Sequence, residues 1–206
     1  RKYVLDCLES TWISSKGKYI AAFEKEFMRI GGYRAATVTT NGTTALHLAL
    51  LALDIKTDDE VIVPALTYIA SVNAIKYVGA KPVFVDSDPR TWQISCTDVR
   101  KKISPKTKAI MAVHLYGHPC NMAEIMRIAE EYDLRVIEDC AEAFGTQFKG
   151  KNIGLFGDIA TFSFFGNKTI TTGEGGMVVS KNDDLIKKVV HYKGQGLQDG
   201  KEYWHD

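Results

Sequence analysis

The chain has 206 residues, of which 45% are hydrophobic and 25% charged, a globular composition large enough to bury one substantial core. Its 26 basic and 25 acidic residues are mixed along the sequence and give a net charge of +1, which excludes a surface built for nucleic acid or anionic membranes. No apolar run reaches the ~20 residues that span a bilayer, and residues 1–6 lack a signal-peptide core. We therefore expect a cytoplasmic protein with no nucleic-acid and no membrane partner.

The cysteines carry no metal or redox signature. They lie far apart in sequence, at Cys7, Cys96, Cys120 and Cys140, so no pair has the spacing of a zinc site or a redox dithiol. We expect buried, reduced thiols and no metal site.

Short apolar runs alternate with helical segments along most of the chain. Strands are predicted at residues 36–40, 61–64, 82–86, 109–114, 135–138, 159–164 and 177–180. Helices are predicted at residues 19–30, 43–53, 68–78, 96–103, 122–132 and 183–192. Apolar strands separated by helices indicate an α/β fold, with a mostly parallel seven-stranded sheet covered by helices on both faces.

The first candidate site segment, residues 39–50, runs from a strand end through a polar turn into a helix. Free N–H groups and hydroxyls at a helix N-terminus bind phosphate, and Gly42, followed by Thr43, permits close approach. The alternative is that these residues only cap the helix.

The second segment is a short apolar strand that ends in two acids, Glu138 and Asp139. Carboxylates at the C-terminal end of a buried strand lie where open α/β sheets form their ligand crevices. An aspartate there suits the pyridine nitrogen of pyridoxal phosphate, because its charge keeps the ring protonated and able to accept electrons. Asp139 fits this role, although it could instead cap the following helix.

The third segment, residues 162–176, places one lysine in an aromatic turn rich in glycine and hydroxyls. Lys168 follows three phenylalanines within six positions and has no charged neighbour in sequence before Glu174. Such surroundings desolvate an ammonium and favour the neutral amine that Schiff-base formation requires. Lys168 is therefore the best candidate for a covalent cofactor anchor, the alternative being a strand-to-strand turn whose lysine points into water.

These segments occur in the order and spacing of one family. The motifs are, in chain order, the turn at 39–50, the run Pro64-Ala65-Leu66-Thr67-Tyr68, the pair Glu138-Asp139, and Ser163 with Lys168 five positions later. From about Trp12 to the last residue, the chain resembles the DegT/DnrJ/EryC1/StrS sugar aminotransferases. The resemblance implies a fold type I, aspartate aminotransferase-like domain that binds pyridoxal 5'-phosphate.

The resemblance also implies a role for each matching residue. Lys168 and Asp139 are expected to be catalytic, the first as the Schiff-base lysine and the second as the partner of the ring nitrogen. Other cofactor contacts are expected from Gly42, Thr43 and Ser163 at the phosphate, Tyr68 on the ring, and Glu142 near the phenolic oxygen. Many members carry glutamine at position 142, so the role of Glu142 stays open.

The activity implied is transfer of an amino group, usually from L-glutamate, to a nucleotide-linked keto sugar. A 4-keto-6-deoxy sugar is the expected class, in cell-surface polysaccharide or related amino-sugar synthesis. Family members are nearly twice this length, so residues 1–206 are interpreted as the large cofactor-binding domain, without the small C-terminal domain. We also expect a homodimer with shared active sites. The identity of the sugar and nucleotide, and the choice between C-3 and C-4, stay open.

The same fold and motifs allow two other functions. A dehydratase branch of the family removes the C-3 oxygen of the sugar and carries histidine at the position of Lys168, so the lysine favours transamination. A non-catalytic pyridoxal phosphate-binding protein of the same fold is disfavoured by the intact set of Asp139, Ser163 and Lys168. The roles of Trp12, His114, Tyr116 and His118 stay open.

Overall fold

The structure, a computed structural model, describes residues 1–197. Its helices are α1 (Lys2–Glu9), α2 (Lys18–Gly31), α3 (Gly42–Ala52), α4 (Ile69–Tyr77), α5 (Cys96–Lys102), α6 (Met122–Tyr132) and α7 (Asp183–Lys193), with a short 3-10 helix at Leu115–Gly117. Its strands are β1 (Ala35–Thr39), β2 (Glu60–Pro64), β3 (Lys81–Val85), β4 (Thr107–Val113), β5 (Arg135–Asp139), β6 (Gln147–Phe148), β7 (Lys151–Asn152), β8 (Ile159–Ser163) and β9 (Gly176–Ser180). Within the described range, no helix combines the length and the apolar content needed to cross a membrane.

Seven strands form one sheet in the order β1-β9-β8-β5-β4-β2-β3. Strand β9 runs antiparallel to both of its neighbours, and the other pairings are parallel. This sheet confirms the predicted α/β fold. Because β8 is parallel to β5 and β9 returns antiparallel to β8, the turn between them lies at the carboxyl edge of the parallel strands. Lys168 is in that turn.

The predicted strands and helices are confirmed, with ends that differ by one or two residues. Helix α1, the 3-10 helix and the β6-β7 hairpin are absent from the prediction. Helix α1 is amphipathic, yet none of its residues is buried, and its apolar side chains Tyr3, Val4 and Leu8 are exposed. The hairpin strands have two residues each, too few for an alternating pattern.

Both faces of the sheet are covered. Side chains alternate along the strands, so that Val61 and Val63 pack with the apolar residues of α3, α4 and α7, while Ile62 packs with those of α5 and α6. A third cluster joins Phe27 of α2 to β8 and β9. Because both faces are covered, a ligand can reach this sheet only at the ends of the strands, and the carboxyl ends are the general position of sites in such sheets.

Candidate active site

A pocket of about 340 Å³ lies at the carboxyl edge of the sheet. Strands β4, β5 and β8 end at its floor, and the first turns of α3 and α4 form its walls. All seven residues predicted for the site line this pocket: Gly42, Thr43, Tyr68, Asp139, Glu142, Ser163 and Lys168. The sheet topology therefore brings together side chains that the sequence separates by more than a hundred positions.

One end of the pocket is formed by the N-terminus of α3. The Asn41 side chain caps the helix by accepting the Thr44 N–H at 2.8 Å, so the amides of Gly42 and Thr43 are left without an intrahelical partner. A Cβ atom on Gly42 would lie only 2.8 Å from the Cβ of Ser163. Glycine is therefore needed for the close approach of α3 to β8, which sets exposed amides beside a serine hydroxyl.

Asp139 is the last residue of β5 and is 5% exposed. Its Oδ2 accepts a hydrogen bond from the Ser71 hydroxyl at 2.7 Å, and its Oδ1 accepts the Ala141 N–H at 3.1 Å. Burial raises the pKa of Asp139 above its ordinary value, and these hydrogen bonds oppose the shift. No arginine or lysine forms an ion pair with this carboxylate within residues 1–197. It is thus a buried acid to which a cationic ligand group would be complementary.

Lys168 lies in the turn between β8 and β9 and lines the same pocket as Asp139. Its side chain is 17% exposed, and its Nζ lies 3.7 Å from Glu142 Oε1. Of the three phenylalanines that precede this lysine, Phe162 and Phe164 are buried in the core. Phe165 lines the pocket. The charged group beside Lys168 is therefore Glu142, which lies in a different segment of the chain, so the sequence around Lys168 does not reveal it.

Tyr68 and Glu142 border the mouth of the pocket. Tyr68 is the N-cap residue of α4, and the residue is 70% exposed. The Oε2 of Glu142 accepts the Tyr116 N–H at 2.7 Å, which fixes the carboxylate while Oε1 faces Lys168. Tyr116 has φ of 54°, an uncommon backbone conformation for a non-glycine residue. Glu142 therefore ties the loop after β4 to the lysine.

Glu138, adjacent to Asp139, points to the opposite face of the sheet and does not enter the pocket. Its Oε1 accepts the N–H groups of Phe156 and Gly157, and its Oε2 accepts that of Gly154 and contacts His114 Nε2 at 3.2 Å. His114 Nδ1 accepts the Cys120 N–H, so Nε2 carries the proton and donates to Glu138. His114 is fully buried in this network, and it also belongs to the lining of the pocket.

Donor atoms of His114, Glu138 and Cys140 lie within 4.8 Å of one another, a separation compatible with a metal ion. Both Glu138 oxygens, however, already accept two hydrogen bonds each, which uses the acceptor capacity of a carboxylate. The cluster is a satisfied hydrogen-bond network. It holds the loop 154–157 and the loop after β4 against the end of β5.

Glu138→Gln is expected to lower the free energy of unfolding by about 3–5 kcal/mol, because an amide leaves buried N–H groups unpaired. Burial alone would raise the pKa of Glu138, but the His114 and backbone hydrogen bonds outweigh it, so the pKa lies below its ordinary value of 4.5. The carboxylate therefore contributes stability at neutral pH, and this contribution is lost as the pH falls below 4.5 through the folded-state pKa.

Denaturant unfolding at several pH values measures both effects. The free energies of wild type and Glu138→Gln should differ most at neutral pH and converge in acid. Glu130→Gln, on the exposed face of α6, is the matched control and should follow wild type. Equal stability of Glu138→Gln and wild type at pH 7 would contradict this account.

The chain matches the sequence profile of the DegT/DnrJ/EryC1/StrS aminotransferase family over residues 1–206. It therefore belongs to this family, which confirms the resemblance drawn from the motifs. The GDP-perosamine synthase of Escherichia coli O157:H7 is 64% identical over 206 residues, which are 100% of this chain and 57% of that protein. The GDP-perosamine synthase of Vibrio cholerae is 55% identical over 206 residues, 100% of this chain and 56% of that protein.

Solved structures show the same architecture. An aminotransferase from Psychrobacter cryohalolentis matches with a TM-score of 0.93 at 39% identity, over 98% of this chain and 54% of that one. The structure of ntda from Bacillus subtilis with bound cofactor PMP has a TM-score of 0.91 at 33% identity, over 98% of this chain and 46% of that one. The chain thus spans about half the length of the proteins that it resembles.

Proposed function

We propose that this protein is a pyridoxal 5'-phosphate-dependent aminotransferase that acts on a nucleotide-linked keto sugar, with L-glutamate as the amino donor. The observation that carries the proposal is the convergence of Lys168 and the buried Asp139 on one pocket at the carboxyl edge of the sheet. Relatives named GDP-perosamine synthase, at 64% and 55% identity, favour GDP-4-keto-6-deoxymannose as the sugar and C-4 as the aminated carbon.

The pocket suits this cofactor at both ends. The amides of Gly42 and Thr43, with the Ser163 hydroxyl, supply donors for a phosphate group at the α3 N-terminus. At the floor, the Asp139 carboxylate is buried with only neutral hydrogen-bond donors, Ser71 and the Ala141 N–H. A protonated ring nitrogen would provide the cationic partner that a desolvated carboxylate lacks.

When bound, the cofactor supplies an electron-accepting ring to which an amino group can be attached covalently. Asp139 would keep the ring nitrogen protonated, and Tyr68 at the mouth of the pocket would contact the ring. Lys168 would hold the cofactor covalently, and its free amine would serve as the base for the proton at the donor Cα. Glu142, expected near the phenolic oxygen, would also pair with the Lys168 side chain whenever that lysine carries a proton, since its Oε1 lies 3.7 Å from Nζ.

We extend the proposal to the wider setting of the protein. We interpret residues 1–206 as the large cofactor-binding domain of a cytoplasmic homodimer with shared active sites, which makes perosamine for lipopolysaccharide O-antigen synthesis. Large apolar side chains at and beside the pocket support a further protein surface there, since the pocket residues Tyr68 and Phe165 are 70% and 48% exposed and the adjacent Ile69 is 56% exposed. Lys168, where the dehydratases carry histidine, favours transamination over C-3 deoxygenation.

An activity assay of the full-length protein tests the function. With pyridoxal 5'-phosphate, L-glutamate and GDP-4-keto-6-deoxymannose, mass spectrometry should detect the 4-amino sugar nucleotide and an equal amount of 2-oxoglutarate. Nucleotide-linked 3-keto sugars serve as the comparison panel and should react poorly. Loss of the C-3 oxygen without net amination, or amination of the 3-keto sugars alone, would contradict the proposal.

A further inference from the structure

Ser71, in helix α4, donates a hydrogen bond to the carboxylate of Asp139. The Ser71 residue is 1% exposed, and its hydroxyl lies 2.7 Å from Asp139 Oδ2. The other oxygen, Oδ1, accepts the Ala141 N–H at 3.1 Å. The two donors come from different parts of the fold, helix α4 and the turn after β5, so together they fix the carboxylate plane. Acceptor positions remain on both oxygens for a ligand in the pocket.

The direction of the hydrogen bonds depends on the charge of Asp139. Thr67 Oγ1, which lies at the pocket wall, is 3.2 Å from Ser71 Oγ. A hydroxyl has one hydrogen, so when Ser71 donates to Asp139 it can only accept from Thr67, whose own hydrogen is shared between Ser71 and the Tyr68 carbonyl at 3.3 Å. The chain from Thr67 through Ser71 then ends on an acceptor, which stabilises the anionic carboxylate. Protonation of Asp139 on Oδ2 would force the chain to reverse.

The same helical turn carries the residue expected over the ring. Tyr68 is the N-cap of α4, and its carbonyl accepts the Ser71 N–H at 3.3 Å. The first turn of α4 thus presents Tyr68 at the pocket mouth and Ser71 at the pocket floor. A shift of this turn would move both groups together.

We propose that Ser71 is a positioning residue that holds Asp139 as an oriented carboxylate for the pyridine nitrogen of the cofactor. This inference rests on the proposed function, because it assumes that Asp139 faces that nitrogen. Burial raises the pKa of Asp139, and the Ser71 hydrogen bond is the largest influence in the opposite direction. Without Ser71, the carboxylate would lose both its orientation and much of the support for its charge.

A graded set of variants in the full-length protein isolates this effect. Ser71→Ala removes the donor, and Ser71→Cys keeps a side chain of similar shape with a weaker donor. Thr161→Val is the matched control. Thr161 lies beside Asp139 on the neighbouring strand β8, and its buried hydroxyl has no hydrogen-bond partner in the described part of the chain. Circular dichroism and thermal unfolding establish that each variant is folded.

The measurements are the dissociation constant of pyridoxal 5'-phosphate and the ¹⁵N chemical shift of its ring-labelled form when bound. Loss of a hydrogen bond to a charged group should weaken binding about tenfold to hundredfold in Ser71→Ala. Its ring ¹⁵N resonance should move toward that of a neutral pyridine. Ser71→Cys should be intermediate in both measurements, and Thr161→Val should match wild type.

Wild-type affinity and ¹⁵N shift in Ser71→Ala would overturn the inference while leaving the proposed function intact. If Ser71→Ala does not fold, the comparison of Ser71→Cys with wild type decides in the same way. Failure of the wild-type protein itself to bind the cofactor would overturn the proposed function, and the inference with it.

Discussion

Lys168→Ala is expected to bind pyridoxal 5'-phosphate without a covalent link and to lower turnover roughly 10⁴-fold or more. The substitution removes both the amine that anchors the cofactor and the base that moves the proton at the donor Cα. A small primary amine added to the buffer should restore part of the rate, because it replaces the missing group without its tether. Turnover with glutamate and the keto sugar gives the measurement.

Two controls separate this effect from general damage. Lys187→Ala removes an exposed lysine of α7 that pairs with Asp184, and it should retain wild-type turnover. Lys168→Arg keeps a cation beside Glu142 but cannot form a Schiff base, so it should be as inactive as Lys168→Ala. Substantial turnover in Lys168→Arg would show that this residue acts only through its charge.

Asp139→Asn should lower turnover by about two or more orders of magnitude while leaving the protein folded. The neutral amide cannot keep the ring nitrogen protonated, so the ring loses its capacity to accept electrons. Asp58→Asn is the control. It makes the same chemical change at an exposed turn, where φ is 70°, and should leave turnover unchanged. Near-normal turnover in Asp139→Asn would remove Asp139 from the mechanism.

The same substitution should raise the stability of the cofactor-free protein. The pKa of Asp139 is raised above its ordinary value of 3.8 by burial, so the folded state binds more protons than the unfolded state between the two pKa values. The free energy of unfolding therefore falls as the pH rises through this window. Removal of the charge at pH 7 should raise the thermal midpoint of the apoprotein, and a lower midpoint would contradict the assigned shift.

Glu138 and Asp139 are adjacent acids with opposite tasks. The pKa of Glu138 is lowered by a saturated set of donors, whereas burial raises that of Asp139. Loss of the Glu138 charge is expected to destabilise the fold, and loss of the Asp139 charge to stabilise the apoprotein while lowering turnover. This contrast follows from strand geometry, since consecutive side chains point to opposite faces of the sheet.

The sequence predicts the sheet and its ligand edge well, because strands buried on both faces appear as short apolar runs between helices. The turns at Gly42 and Lys168 stand out for a similar local reason, their unusual composition. The Ser71–Asp139 hydrogen bond is different: it joins residues 68 positions apart, and a serine in an apolar helix gives no sign of its partner. Long-range contacts of this kind depend on packing that no local pattern specifies.

Local composition also misleads at one point. Three phenylalanines near Lys168 indicate an apolar site, yet Phe162 and Phe164 belong to the core beneath it. Strand β8 places alternate residues on opposite faces, so Ser163 reaches the pocket while its two neighbours do not. The lysine is instead beside the acid Glu142. The prediction of Lys168 as the anchor is thus supported by its position in the pocket rather than by the aromatic residues that first suggested it.

Borohydride reduction of the full-length protein with bound pyridoxal 5'-phosphate tests the central claim most directly. Reduction should fix the cofactor irreversibly on the protein, and peptide mass mapping should find the pyridoxyl group on the peptide that contains Lys168. Lys168→Ala treated in the same way should carry no label at that peptide. A stable label on another lysine of the wild-type protein, with Lys168 unmodified, would contradict the account.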